Sequence, residues 1–133
     1  PNMTVLYPCD GVSTERLIEA AAYHPGPVYM RTSRPKTPVI YGLAERFEIG
    51  GLKVLRQSGA DVATVIGAGV TVFEALKAHD ILAARGIPIR VVDLYSLQPI
   101  DAAALVRCAV ETGGRVLTVE DHYAAGGLGG SDR

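Results

Sequence analysis

Short apolar runs alternate along this chain with stretches in which apolar residues recur every three or four positions, the pattern of strands alternating with helices. Met3 to Tyr7 reads as a strand, and Pro8-Cys9-Asp10-Gly11 as the turn into a helix from about Ser13 to Tyr23. Leu17, Ile18, Ala21 and Ala22 should form the buried face of that helix. His24-Pro25-Gly26 stops it, and the apolar run from Pro27 to Arg31 is expected to be a buried strand. The opening third is then one βαβ unit with a right-handed crossover. Two strands and one helix cannot cover both faces of a parallel sheet, so residues 1–40 are expected to be the end of a larger three-layer domain.

Lys36 to Arg46 is rich in proline and polar residues and shows no period, which places a domain boundary there. Residues 41–59 read as a linker with a short strand or hairpin over Phe47 to Leu55, broken at Gly50-Gly51. A second domain, residues 60–133, opens with a strand from Asp61 to Ile66. Thr71 and Glu74 have the spacing of a capping box, and Val72, Ala75, Leu76, His79, Leu82 and Ala83 form one helical stripe that Gly86 ends. Ile87 to Leu94 is the next strand. Asp101 caps a helix buried through Leu105, Cys108, Ala109 and Thr112, and Arg115 to Val119 is a third strand. This order predicts α/β architecture, parallel sheets with flanking helices: the end of one three-layer domain, then a truncated doubly wound domain.

Net charge changes the picture by exclusion. It is −1 over 133 residues with the basic residues spread out, so the electrostatic footprint of a nucleic-acid binder is missing. Cys9 and Cys108 belong to neither a CxxC nor a Cys/His cluster, and reduced cytoplasmic thiols are the plain reading. No apolar stretch is long enough to span a bilayer, and no signal-peptide pattern opens the chain. It starts at Pro1-Asn2 without an initiator methionine, so a piece of a longer protein is expected.

Candidate chemistry gathers where the strands of the second sheet end. Gly67 to Gly69, Asp93 to Ser96 and Glu120 to Tyr123 should meet on one crest and could form a crevice. Ile66-Gly67-Ala68-Gly69 before a helix, with Asp93 ending the next strand, imitates part of a dinucleotide-binding fingerprint. The third glycine of the fingerprint would fall at Val72, whose branched side chain opposes the close packing that glycine permits, so a simple tight turn is preferred. The sharper signal is Arg31-Thr32-Ser33-Arg34-Pro35, two arginine forks flanking two hydroxyls at a strand end, which is the make-up of an anion grip. For Arg31, pairing with a carboxylate at a strand end weighs as much as substrate contact.

The string RTSRP at residues 31–35 closely resembles the one in transketolases, and the resemblance extends over nearly the whole chain. Thr4 to Val12 is similar to a stretch late in that family's pyrimidine-binding domain. Val65 to Thr71 with Glu74-Ala75-Leu76 looks like the start of its carboxyl-terminal domain, and Thr118 to Tyr123 with Gly126-Gly127-Leu128-Gly129 like a later strand-to-helix turn. Transketolases move a two-carbon ketol unit between sugar phosphates with thiamine diphosphate and a divalent cation, Mg or Ca. The resemblance implies that Arg34 binds the sugar phosphate, with Arg31 and Ser33 as helpers. It also implies that the cofactor and metal ligands precede Pro1, that no catalytic residue lies in this chain, and that the partner is the missing amino-terminal region or subunit. It implies a cytoplasmic homodimer when complete; the chain alone should be inactive and poorly stable at its sheet edges. A deoxyxylulose-phosphate synthase, a ketoacid dehydrogenase β-subunit, or a non-catalytic domain that binds a partner or an anion are the alternatives.

The histidines add little. His24 sits at a helix end, where exposed carbonyls explain it, and His79 lies on an apolar stripe. His122, beside Glu120 and Asp121, could transfer protons or bind metal, but no third ligand spacing accompanies it, so a structural or subunit-contact role is preferred.

Overall fold

The computed structural model describes residues 2–123 and 125–131. It begins with the expected βαβ unit: β1 (Thr4–Leu6), α1 (Gly11–Tyr23) and β2 (Val28–Met30), with β1 and β2 parallel and Thr4 opposite Val28. Asp10 starts the helix. Its Oδ1 accepts the Ser13 N–H at 2.8 Å, while its own N–H donates to Ser13 Oγ at 3.1 Å, a reciprocal cap that satisfies two otherwise orphaned groups. Two expectations fail here. Only Val12, Ser13 and Leu17 of α1 are buried, and Ile18 is 55% exposed. β2 is the outer strand of its sheet and has no buried residue, so an apolar run here marks an edge, with Tyr29 turned outward.

The second sheet has the order β3-β5-β4-β7, from β3 (Lys53–Arg56), β4 (Thr64–Gly67), β5 (Arg90–Asp93) and β7 (Val116–Val119). β4 pairs in parallel with β5 and β7, and every residue of β4 and β5 is buried, as central strands under helices require. β3 runs antiparallel to β5, so the segment read as a strand or hairpin is a single edge strand. Two helices connect the parallel strands, α2 (Thr71–Ala83) and α3 (Ala102–Glu111), and a short α4 (Leu128–Ser131) follows β7. The capping box at Thr71 and Glu74 does not form. Val70 occupies the cap position, Thr71 Oγ1 turns back to the Ala68 carbonyl at 2.9 Å, and Glu74 pairs with Lys77. Asp101 does cap α3, through the Ala104 N–H at 3.0 Å. Among the described residues no helix is long and apolar enough to cross a membrane.

A strand that the sequence pattern does not announce joins the two sheets. Beyond β5 the chain crosses through Leu94 and Tyr95 into β6 (Ser96–Gln98), which pairs antiparallel with β1. The Tyr7 N–H donates to the Tyr95 carbonyl at 2.8 Å across the same junction. Each sheet therefore carries one antiparallel strand beside its parallel strands, and the crossing of the chain from β5 to β6 joins the two.

The segment expected as a linker is packed rather than loose. It has no regular structure up to Leu52, yet Tyr41 and Phe47 are buried and stack edge to face, with Phe47 against Tyr95, at centroid distances of 4.8 and 5.1 Å. Asp10 Oδ2 accepts the N–H groups of both Ile40 and Tyr41, so one carboxylate caps α1 and moors this segment. Leu6, Leu17, Tyr41, Phe47, Val72 and Tyr95 share one core drawn from both sheets.

Candidate functional site

A cleft of about 520 Å³ opens where the two sheets meet. Tyr29 and Arg31 come to it from the first sheet, Gln98 from β6, and Asp121 and His122 from the turn after β7. Arg31 lies one residue past β2, where its N–H still donates to the Leu6 carbonyl at 2.9 Å. Its guanidinium crosses the cleft and donates to Asp121 Oδ1 at 3.1 Å and Oδ2 at 2.9 Å, a forked pair of charge-assisted bonds. The same guanidinium lies 4.6 Å from the centroid of the Tyr7 ring, and Tyr7 Oη donates to Asp121 Oδ2 at 3.1 Å. Burial, more than the neighbouring carboxylate, raises the Tyr7 hydroxyl above its ordinary value, so it remains a donor to Asp121 throughout the neutral range.

Arg31 thus makes the carboxylate pairing that weighed equally with substrate contact. Arg34 and Ser33 lie exposed on the loop after β2, with no hydrogen bond or ion pair among the described residues. Glu120, Asp121 and His122 do not act as a cluster. Glu120 Oε1 turns to the Gly129 N–H at 3.0 Å, Asp121 takes Arg31 and Tyr7, and His122 stands exposed at the rim with Nδ1 3.2 Å from the Tyr123 carbonyl. His24 Nε2 lies 3.1 Å from Thr4 Oγ1, and His79 Nδ1 3.1 Å from Asp80, so both are placed by local partners.

The glycine turn has a different purpose from the fingerprint it imitates. Gly69 has φ +58°, and a Cβ added there would run into the ring of Tyr7. Glycine is required so that a side chain from the first sheet can lie flat on the turn of the second. Nothing in the local sequence signals this contact, because the two residues meet only after both sheets have formed.

Asp93 does not reach the cleft. It is fully buried, accepts the Tyr41 hydroxyl at 2.6 Å and the Cys9 thiol at 3.4 Å on Oδ2, and has no partner for Oδ1 among the described residues. Burial pushes its carboxyl up to about 7; the donors Tyr41 and Cys9 and the charge of Lys53 pull it down, and Asp10 adds to the rise. An unfolded aspartate titrates near ~3.9. The native state therefore holds this proton through a window in which the unfolded chain has lost it. The stability so gained is fully present below the unfolded value and is lost as pH rises through 7. Asp61 does not blur this window, since the bonds from Ser58 and Arg90 outweigh its burial and move it downward. Asp93→Asn, which keeps an acceptor for Tyr41 but cannot ionise, is expected to abolish a loss on the order of 2 to 4 kcal/mol between about pH 4 and 7. Unfolding free energies of the two proteins across that range check it, and parallel curves would refute the assignment.

Comparisons with known proteins agree on one family. The sequence pattern described as "Transketolase, C-terminal domain" matches residues 50–131. Transketolase-like protein 2 of Mus musculus is 54% identical over 129 residues, which cover 97% of this chain and 21% of that protein. Transketolase of Homo sapiens is 48% identical over 129 residues, with the same coverage of 97% and 21%. The chain thus spans about a fifth of the length of these relatives. A solved structure described as a split gene transketolase, inactive beta4 tetramer, superimposes with a TM-score of 0.93 at 42% identity over 99% of this chain and 43% of its own. Transketolase from Campylobacter jejuni, at 19% identity and a TM-score of 0.71 over 91% of this chain and 22% of its own, shares the fold.

Proposed function

Because the chain belongs to the transketolase family, we propose that it works within an enzyme that transfers a two-carbon ketol unit between sugar phosphates with thiamine diphosphate, and that its own contribution is a phosphate grip at Arg34. The observation that carries this reading is the guanidinium of Arg34, exposed and without a partner among the described residues, on a loop whose other arginine is held by Asp121. A sugar phosphate near neutrality is largely a dianion, and the planar fork of an arginine presents parallel N–H donors to its oxygens. The exposed hydroxyls of Thr32 and Ser33 lie in the same turn and add donors. Gripping the phosphate end fixes the register of the carbon chain, so that binding energy far from the reacting bond is used for orientation.

Thiamine diphosphate supplies the carbanion chemistry when bound. The described residues of this chain do not fit it or its divalent cation. No three His, Cys, Asp or Glu side chains gather as metal ligands among them, and the glycine turn that would suit a diphosphate is filled by Tyr7. In this reading the cofactor is held by another region or subunit, a view supported by the solved relative described as an inactive tetramer of a split gene product. Residues 1–40 are then the end of the pyrimidine-binding domain and 60–133 the carboxyl-terminal domain, in a cytoplasmic homodimer. The names of the relatives favour a transketolase over a deoxyxylulose-phosphate synthase or a ketoacid dehydrogenase β-subunit.

The test is ketol transfer between sugar phosphates by the complete enzyme with thiamine diphosphate and magnesium. Transfer that disappears when the cofactor is withheld is the expected result. A folded protein that binds a sugar phosphate without transfer, with every subunit supplied, would overturn the reading in favour of a non-catalytic anion-binding module.

A further inference from the structure

We propose that Asp121 is a positioning residue for the phosphate grip, acting through Arg31 to fix the loop that carries Arg34. The inference rests on the assignment of Arg34 as that grip. Residues 32–36 are all exposed and outside regular structure, so their course is set by what holds the two ends. At the far end Thr37 Oγ1 donates to the Cys9 carbonyl at 2.9 Å, followed by the two N–H bonds from Ile40 and Tyr41 to Asp10. At the near end the backbone ladder finishes at the Arg31 N–H, and the side chain that continues the anchorage is Arg31 itself. Its guanidinium is held by Asp121, ninety positions away in sequence, and by the face of Tyr7.

Two physical consequences follow. The forked geometry fixes the plane of the guanidinium as well as its position, which pins the loop three residues before Arg34. Pairing also neutralises Arg31. Without Asp121 a further cation would be released beside Arg34 and the exposed Lys36, and would draw the phosphate out of register with Arg34. Tyr7 helps to orient the carboxylate, its hydroxyl donating at 3.1 Å to Oδ2, the oxygen that also accepts from Arg31 Nη2. The carbonyl of Asp121 lies 3.5 Å from the same guanidinium, so the turn after β7 meets Arg31 with backbone and side chain together.

The experiment is a steady-state comparison in the complete enzyme between a sugar phosphate and a non-phosphorylated ketol donor. Asp121→Asn is expected to raise the ratio of the two KM values by about tenfold, the size of effect that loss of a charge-assisted positioning contact produces. Arg31→Ala should raise it to a similar extent. The double variant should be no worse than either single one, because both changes remove the same link. An unchanged ratio for Asp121→Asn, or effects that multiply in the double variant, would overturn the proposal. Arg34→Ala run in parallel separates the two ideas. If Arg34→Ala shifts the ratio and Asp121→Asn does not, only the positioning role falls; if Arg34→Ala itself leaves the ratio unchanged, the grip is misassigned and the positioning role falls with it.

Discussion

Arg34→Ala in the complete enzyme is expected to raise the KM for a sugar phosphate about a hundredfold while changing that for a non-phosphorylated ketol donor no more than about twofold. Hydrogen bonds to charged groups contribute roughly 1.5 to 3 kcal/mol each, and 1.4 kcal/mol corresponds to about a factor of ten. A forked contact to a phosphate dianion involves two such bonds, partly discounted because the loop is open to water and salt. Nothing in the folded protein depends on this side chain, which is exposed and unpaired among the described residues, so the variant should keep its stability. Arg34→Lys should fall between the two, since a lysine keeps the charge but loses the fork. Steady-state kinetics with the two donors measure all of this. Equal losses on both would mean that Arg34 acts on something other than the phosphate.

How far such a site can be read from sequence depends on how local its causes are. Asp101 and Gly86 were legible because a helix start and a helix end are each set within a few residues, by a carboxylate that meets an N–H and by a backbone at φ +75°. The strands β4 and β5 were legible because each has a β-branched apolar centre, Val65-Ile66 and Val91-Val92, between turn signals, although the buried Thr64, Arg90 and Asp93 interrupt the apolar pattern. β6 was not. Ser96, Leu97 and Gln98 form too short a run to show a period, and their partner β1 lies at the other end of the chain. Tyr41 and Phe47 sit in an aperiodic segment, and their burial was decided by the aromatic stack with Tyr95 rather than by any local repeat. The candidate site divides in the same way. That two arginines flanked hydroxyls at a strand end was visible, but their different tasks were not. Arg31 is the last residue held by the β1–β2 ladder and so faces across to Asp121, whereas Arg34 lies beyond it.

Gly69→Ala is expected to destabilise the protein by about 2 to 5 kcal/mol, more than the change of one methyl group would ordinarily suggest. Two costs combine. A left-handed residue with a Cβ costs roughly 1 to 2 kcal/mol, and Gly69 has φ +58°. The added methyl would also overlap the Tyr7 ring, and overpacking a filled core costs typically about 1 to 3 kcal/mol. The ring has little room to yield, because Tyr7 is 2% exposed, packs with Ile66, Leu94 and Leu128, and is tied by its hydroxyl to Asp121. Gly86→Ala separates the two costs, since Gly86 also has positive φ, +75°, but opens onto empty space. It should lose only the strain. The difference between the two variants in denaturant unfolding is then the overlap with Tyr7, and in a Tyr7→Ala background, which carries its own cost for the emptied core, Gly69→Ala should add little beyond the strain. A ring forced off Gly69 would also release Asp121 and Arg31, so the same alanine should raise the KM ratio for phosphorylated against non-phosphorylated donors. If the two glycine variants lose equal stability, the ring does not rest on the turn, and the path from Gly69 through Tyr7 to the arginine loop is broken at its first link.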